Sequence, residues 1–186
     1  REKSGAGMMD CKNALTESNG DFEKALEILR KKGIAKAAKR ADREAKEGII
    51  YSYIHPGSKL GVLVEVNCET DFVANTDDFQ EFAKNIAMHI AAASPLAIKR
   101  EELDQAIVDK ELEIFKDQAK ASGKPENIIE KIAQGRIEKY YAEVCLLEQA
   151  YVKDMDITIQ QLLTDTIAKV GENISIKRFS RFRIGE

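Results

Sequence analysis

Between residues 60 and 67 the chain alternates Val62, Val64 and Val66 with Leu63, Glu65 and Asn67, and the alternation ends in a polar run at residues 67–70. A period of two sends successive side chains to opposite faces, so the segment reads as a β-strand closed by a turn. Directly after it, Thr70-Asp71-Phe72-Val73-Ala74-Asn75 sets an aromatic ring beside a carboxylate on a rigidly anchored tip. Local chemistry supports two accounts of that tip. In one, Thr70 is a helix N-cap, Asp71 is favoured by the helix dipole and Phe72 tucks into the core. In the other, Phe72 projects as a wedge for a partner.

The flanking pattern predicts the architecture. Residues 49–55 and 60–67 read as strands joined at Pro56-Gly57-Ser58-Lys59, and residues 78–93 as a helix with Phe79, Phe82, Ala83, Ile86 and Ile90 along one stripe. Residues 101–121 and 126–145 form two long helical patterns that meet at Ser122-Gly123-Lys124-Pro125, which predicts an antiparallel hairpin. Its expected seam sets Val108, Leu112, Phe115 and Ala119 against Ile129, Ile132, Ile137 and Val144, with Gly135 allowing close helix contact. A helix at residues 158–170 and a strand at residues 174–183 complete the pattern, with Arg178 and Arg181 on a basic rim. The predicted class is α+β, a three-stranded antiparallel sheet with helices and a long helical hairpin.

Upstream, residues 8–17 and 21–32 read as two short amphipathic helices. Met8, Met9, Ala14 and Leu15 mark the apolar side of the first, and Phe22, Ala25, Leu26 and Leu29 that of the second. Asn19-Gly20 makes the turn between them and Asp21 caps the second. Such a pair buries too little surface to stand alone. From residue 34 to residue 46 the chain is rich in Ala, Lys and Arg, so Lys36, Lys39, Arg40, Arg43 and Lys46 form either a solvated helical linker or a phosphate-binding stripe. No aromatic stacking platform accompanies the charge, which favours the linker. The expected organisation is a helical module at 1–33, a basic linker at 34–47 and an α+β core at 48–186 that includes the hairpin at 101–145.

Composition excludes several classes. A net charge of -3 offers no general attraction to nucleic acid or anionic membrane, and no direct nucleic-acid partner is expected. Three cysteines without a Cys-x-x-Cys pair supply neither a disulfide framework nor a zinc site, so a thiol-reduced cytosolic protein without metal or cofactor is expected. No apolar stretch long enough to span a membrane is present. His55 and His89 lack paired acids, a nucleophile or helical zinc spacing, which argues against an enzyme.

Eight sequence words fall in one collinear order: Ser4-Gly5-Ala6-Gly7-Met8-Met9-Asp10-Cys11-Lys12; Asn19-Gly20-Asp21; Gly33-Ile34-Ala35-Lys36-Ala37-Ala38-Lys39; Val64-Glu65-Val66-Asn67-Cys68-Glu69-Thr70-Asp71-Phe72-Val73-Ala74; Ala87-Met88-His89-Ile90-Ala91-Ala92; Gly123-Lys124-Pro125; Val144-Cys145-Leu146-Leu147-Glu148-Gln149; and Gly171-Glu172-Asn173-Ile174. Together they resemble the signatures of bacterial and organellar elongation factor Ts over nearly the whole chain. The resemblance implies a guanine nucleotide exchange factor for elongation factor Tu, in the bacterial cytoplasm ahead of an organellar matrix or stroma. It implies a ubiquitin-associated-like N-terminal module whose first helix lies before Arg1, followed by a single, compact core.

Carried onto this chain, the family mechanism makes Thr70, Asp71, Phe72 and Val73 the exchange wedge. Entering the partner beside its Mg²⁺ and nucleotide site, the wedge promotes GDP release and allows GTP reloading without covalent chemistry. Arg1, Met8, Met9 and Lys12 match contacts to the partner's nucleotide domain, although one of the two methionines also reads as core filler, and Arg40 falls near a further basic contact. His89 and Gln149-Ala150-Tyr151-Val152 match the region that grips the partner's third domain, where the family usually has Gln-Pro-Phe-Val; the expected contacts there are His89, Tyr151 and Val152. His89 reads equally as a hydrogen-bonded core histidine. Pairing through the strand at residues 175–183 leaves a two-fold homodimer open, while Lys177, Arg178, Arg181 and Arg183 on that edge are equally what a protected monomer shows. The rival reading is an adaptor or RNA-binding module built on the N-terminal helices and the basic linker.

Overall fold

The computed structural model describes Ser4, residues 6–123 and residues 125–186; Arg1, an expected contact, and Lys124 of the hairpin turn lie outside the described residues. In chain order the elements are α1 (Met8–Glu17), α2 (Phe22–Ala38), β1 (Glu47–Ile54), β2 (Leu60–Cys68), α3 (Asp71–Ala74), α4 (Asp77–Ala93), α5 (Gln105–Ala121), α6 (Glu126–Val144), β3 (Ala150–Tyr151), β4 (Asp154–Thr158), α7 (Ile159–Val170) and β5 (Ile174–Arg183). They fold as two compact units, one made of Arg1–Ala91 with Gln160–Glu186 and the other of Ala92–Ile159. The class is α+β, as the sequence predicts.

The first unit is organised by an antiparallel sheet in the order β1-β2-β5. Alternation in β2 does what its period requires: Val62, Val64, Val66 and Cys68 are buried, while Leu63 is exposed. Gly48 lies opposite Asn67 with φ 143°, and a Cβ there would sit 2.2 Å from the Val66 carbonyl oxygen, so only glycine fits. Between β2 and β5, Glu65 pairs with Arg178 but Val66 pairs with Ile176, leaving Lys177 as the extra residue of a β-bulge. The bulge resets the phase of β5. Ile174 and Ile176 are buried before it, and after it Arg181 is the residue drawn inward, its side chain only 12% exposed. The expected basic rim therefore keeps Arg178 but loses Arg181, which pairs with Glu186.

On α4, Phe79, Phe82, Ala83, Ile86 and Ile90 are all buried, as the stripe predicts. An ion pair at 2.6 Å links Asp78 of α4 to Lys169 of α7. In the same unit α1 and α2 meet at Asn19-Gly20, where both residues have positive φ, and Asp21 caps α2 by accepting from the Lys24 N–H at 3.1 Å. Ala14 and Ala25 are buried, but Met8, Met9, Leu15 and Phe22 remain exposed, so the reading of one methionine as core filler fails. The small alanines are the fully buried residues, and Leu26 and Leu29 are half-buried beside them.

α2 runs past residue 33 to Ala38, through the position expected to open the linker, and turns follow it. There Arg30 donates twice to Gln161 Oε1 of α7, at 3.0 and 3.1 Å, and a Cβ on Gly33 would lie 3.5 Å from that of Ala168. Of the five basic residues at 34–46, Lys36 pairs with Asp10, Arg43 with Glu69 and Lys46 with Glu44.

In the second unit α5 and α6 form the predicted hairpin, with Val108, Ala119, Ile129, Ala133 and Ile137 buried along its seam. Gly135 lies off that seam: nothing stands within 4 Å of a Cβ added there, so it serves no close approach. The base is closed by the parallel bridge Ala97 to Cys145 and by Arg100, which pairs with Glu138 and Glu148 and stacks on Tyr141 at 4.4 Å. Those two carboxylates, Glu148 foremost, raise the Arg100 guanidinium pKa. A second sheet, the two-stranded β3-β4 hairpin, was not expected from the sequence, because a two-residue strand is too short to show a period.

Candidate functional site

α3 contains four residues, fewer than a helix needs to repay its own nucleation. It exists because its ends are satisfied from outside. At its N-terminus the Thr70 hydroxyl accepts from the Val73 N–H at 3.4 Å. At its C-terminus three side chains add donors to the last carbonyls: Asn75 Nδ2 to Asp71 at 2.8 Å, Thr76 Oγ1 to Val73 at 2.7 Å and Gln80 Nε2 to Ala74 at 2.8 Å. α3 lies against β1 and β2. From the end of β2 the Cys68 thiol donates to the Thr70 carbonyl at 3.1 Å. Burial first, and then the Glu172 carboxylate, push that thiol up to about 11, so Cys68 is an inert packing group.

A second set of ties comes from the loop before β5. The Glu172 carboxylate accepts from the Thr70 N–H at 3.0 Å and from the Thr70 hydroxyl at 2.7 Å. Next to it the Asn173 N–H donates to Glu69 at 2.6 Å, and Asn173 Nδ2 donates to the carbonyls of Ala41 and Arg43. Glu69 also pairs with Arg43. These residues are some hundred positions away from α3, and no local pattern in the sequence announces them; the only signal was the word Gly171-Glu172-Asn173-Ile174.

On this fastened turn Phe72 is 82% exposed, and Asp71 beside it is also exposed. Both local accounts hold in part: Thr70 is a helix cap, and the ring is nevertheless outside the core. Val73 is half-buried and Ala74 is the residue that faces inward.

The other expected contacts are scattered. Met8 and Met9, 70% and 64% exposed, stand with exposed Lys12 on α1. Arg40 is half-buried in the turn after α2 and keeps one guanidinium nitrogen buried without a hydrogen-bond partner among the described residues. In the second unit Tyr151 of β3 is buried and Val152 is exposed. His89 is wholly buried in α4 and presents no surface in this conformation. Among the described residues no cluster of His, Cys, Asp or Glu could hold a metal ion, and no helix is long and apolar enough to cross a membrane.

Comparison with known proteins converges on one group. The family model described as Elongation factor TS matches residues 31–186. Elongation factor Ts of Geobacter metallireducens is 61% identical over 186 residues, which is 100% of this chain and 86% of the relative. The same-named protein of Fervidobacterium nodosum is 60% identical over 100% of this chain and 94% of its own length, and that of Geotalea daltonii is 60% identical over 100% and 86%. With the α+β fold and an exposed Phe72 on the turn that carries the Thr-Asp-Phe-Val word, identity of this extent over the full length means that the chain belongs to the elongation factor Ts family.

Proposed function

We propose that this protein is a guanine nucleotide exchange factor that binds elongation factor Tu, and that the turn of Thr70, Asp71, Phe72 and Val73 enters the partner beside its Mg²⁺ and nucleotide site. The observation that carries the reading is the Phe72 ring, exposed on a backbone fastened from both ends. A ring held out of its own core is stabilised only when a pocket opens elsewhere to receive it, a gain of roughly 2–3 kcal/mol on full burial. If that pocket exists in the nucleotide-free partner and is closed in the GDP-bound one, linkage requires GDP affinity to fall by the factor by which GDP weakens this protein's binding. No bond is made or broken.

Met8, Met9 and Lys12 on α1, with Arg40, fit a second contact with the partner's nucleotide domain, and Val152 with Tyr151 a third on the other unit. The bacterial origin of the relatives supports action in a bacterial cytoplasm. The outer face of the sheet exposes Ile50, Ile54, Leu63 and Phe182, which favours a two-fold homodimer; sedimentation equilibrium of the purified chain tests it.

The deciding experiment is release of fluorescent GDP from purified elongation factor Tu, with binding measured to the nucleotide-free and GDP-bound forms. Faster release and tighter binding to the nucleotide-free form are expected. Equal affinity for both overturns the proposal, since equal affinity moves no equilibrium. Salt-dependent RNA binding with indifference to Phe72 establishes the adaptor reading instead.

A further inference from the structure

We infer that Glu172 is a positioning residue for exchange: its carboxylate aims the Asp71-Phe72 tip by holding Thr70 from across the unit. The inference rests on the wedge reading proposed above.

A four-residue helix has no stiffness of its own, so the direction of Phe72 is set by whatever fixes Thr70, the residue from which α3 departs. Glu172 fixes it twice. One bond takes the Thr70 backbone N–H, which fixes the peptide plane entering the helix; the other takes the hydroxyl hydrogen at 2.7 Å. With its hydrogen committed to Glu172, the hydroxyl can offer only lone pairs to the Val73 N–H. The carboxylate therefore orients the cap as well as the backbone. Both are hydrogen bonds to an ionised acceptor, the stronger kind.

The clamp is itself held. Asn173, adjacent to Glu172, is buried and joins Glu69 to the carbonyls of Ala41 and Arg43, so the residues on either side of the Thr70–Glu172 contact are both fastened. Among the described residues the two hydrogen bonds of Glu172 both end on Thr70.

The test is a double-mutant cycle on GDP release from elongation factor Tu, using the full chain and its Glu172→Ala, Phe72→Ala and doubly substituted variants, with a thermal melt of each preparation. For Glu172→Ala we expect the maximal release rate to fall about tenfold while the half-saturating concentration changes less than about twofold, because docking elsewhere is intact. In the Phe72→Ala background the same substitution is expected to lower release no further, although it lowers the melting temperature as it does in the parent. An equal fold-loss in both backgrounds, or no loss in the parent, overturns the role. If Glu172→Ala is unfolded at the assay temperature, Glu172→Gln, which keeps the volume and loses the charge, takes its place with the same criteria. Full exchange by folded Phe72→Ala alone defeats the wedge reading itself, an outcome distinct from additivity in the cycle.

Discussion

Two short stretches seven residues apart treat the same side chain in opposite ways. Thr70 caps α3 through the Val73 N–H, and Thr76 stands before α4 and accepts from the Phe79 N–H at the same 3.4 Å distance. Each threonine is followed within one turn by a phenylalanine, yet Phe79 is 0% exposed and Phe72 is the most exposed of the large apolar residues in the chain. The difference is length. α4 continues for 17 residues with an apolar stripe that commits one face to the core, so its phenylalanines follow the stripe. α3 ends after four, and Ala74 alone takes the inward position. A helix that commits a single residue to the core is free to present a ring to something else.

The largest expected effect breaks the pair apart. Phe79→Ala should lower stability by about 3–5 kcal/mol, because it leaves a cavity in a packed core. Phe72→Ala should change stability by no more than about 0.5 kcal/mol and still cut exchange about tenfold. Urea melts and GDP release on the same preparations measure both, and comparable destabilisation at the two sites would dissolve the contrast.

A smaller difference lies in the caps. Thr76→Val removes the acceptor of the Phe79 N–H and the donor to the Val73 carbonyl, for about 1 kcal/mol, whereas Thr70→Val removes the cap of α3 and strands one acceptor oxygen of Glu172, at a cost of roughly 1–2 kcal/mol. Both threonines tie α3, but only Thr70 links it to Glu172, so the Thr70 change should slow GDP release more. Equal exchange by the two valine variants would show that the cap of α3 has no bearing on its ring.

At neutral pH the ionisation of the thiol beneath α3 has no effect, and its contribution shows only in alkali. Because folding raises the Cys68 pKa from an ordinary 9.0 to about 11, the unfolded chain loses this proton first as pH rises. Stability from this group is complete below pH 9.0 and is lost as pH climbs towards about 11. The melting temperature should therefore fall more steeply across that window in the parent than in Cys68→Ala. Identical slopes would mean that burial leaves the thiol unperturbed.

Apart from the β3-β4 hairpin, the main elements and their order were legible in the residues. The strand at 60–67, the stripe on α4 and the two arms of the hairpin each repeat a period over enough residues to be read, and Gly and Pro mark where they stop. So were the tip at Thr70 to Val73 and its cap. Whether Phe72 faced inward was not legible, since a capped phenylalanine looks the same before a helix of four residues or of 17. Nor was His89, whose stripe position and family match pointed in different directions until burial placed it inside.

By itself, then, the sequence determined period, punctuation and family words, because each of these is written within a turn of helix or a few residues of strand. The tertiary structure decided the phase of β5 after the Lys177 bulge, the inward turn of Arg181 and the outward turn of Phe72. It also brought Glu172 to Thr70 across 102 residues. These outcomes depend on partners supplied by distant segments, and a contact between distant segments leaves no period in either one.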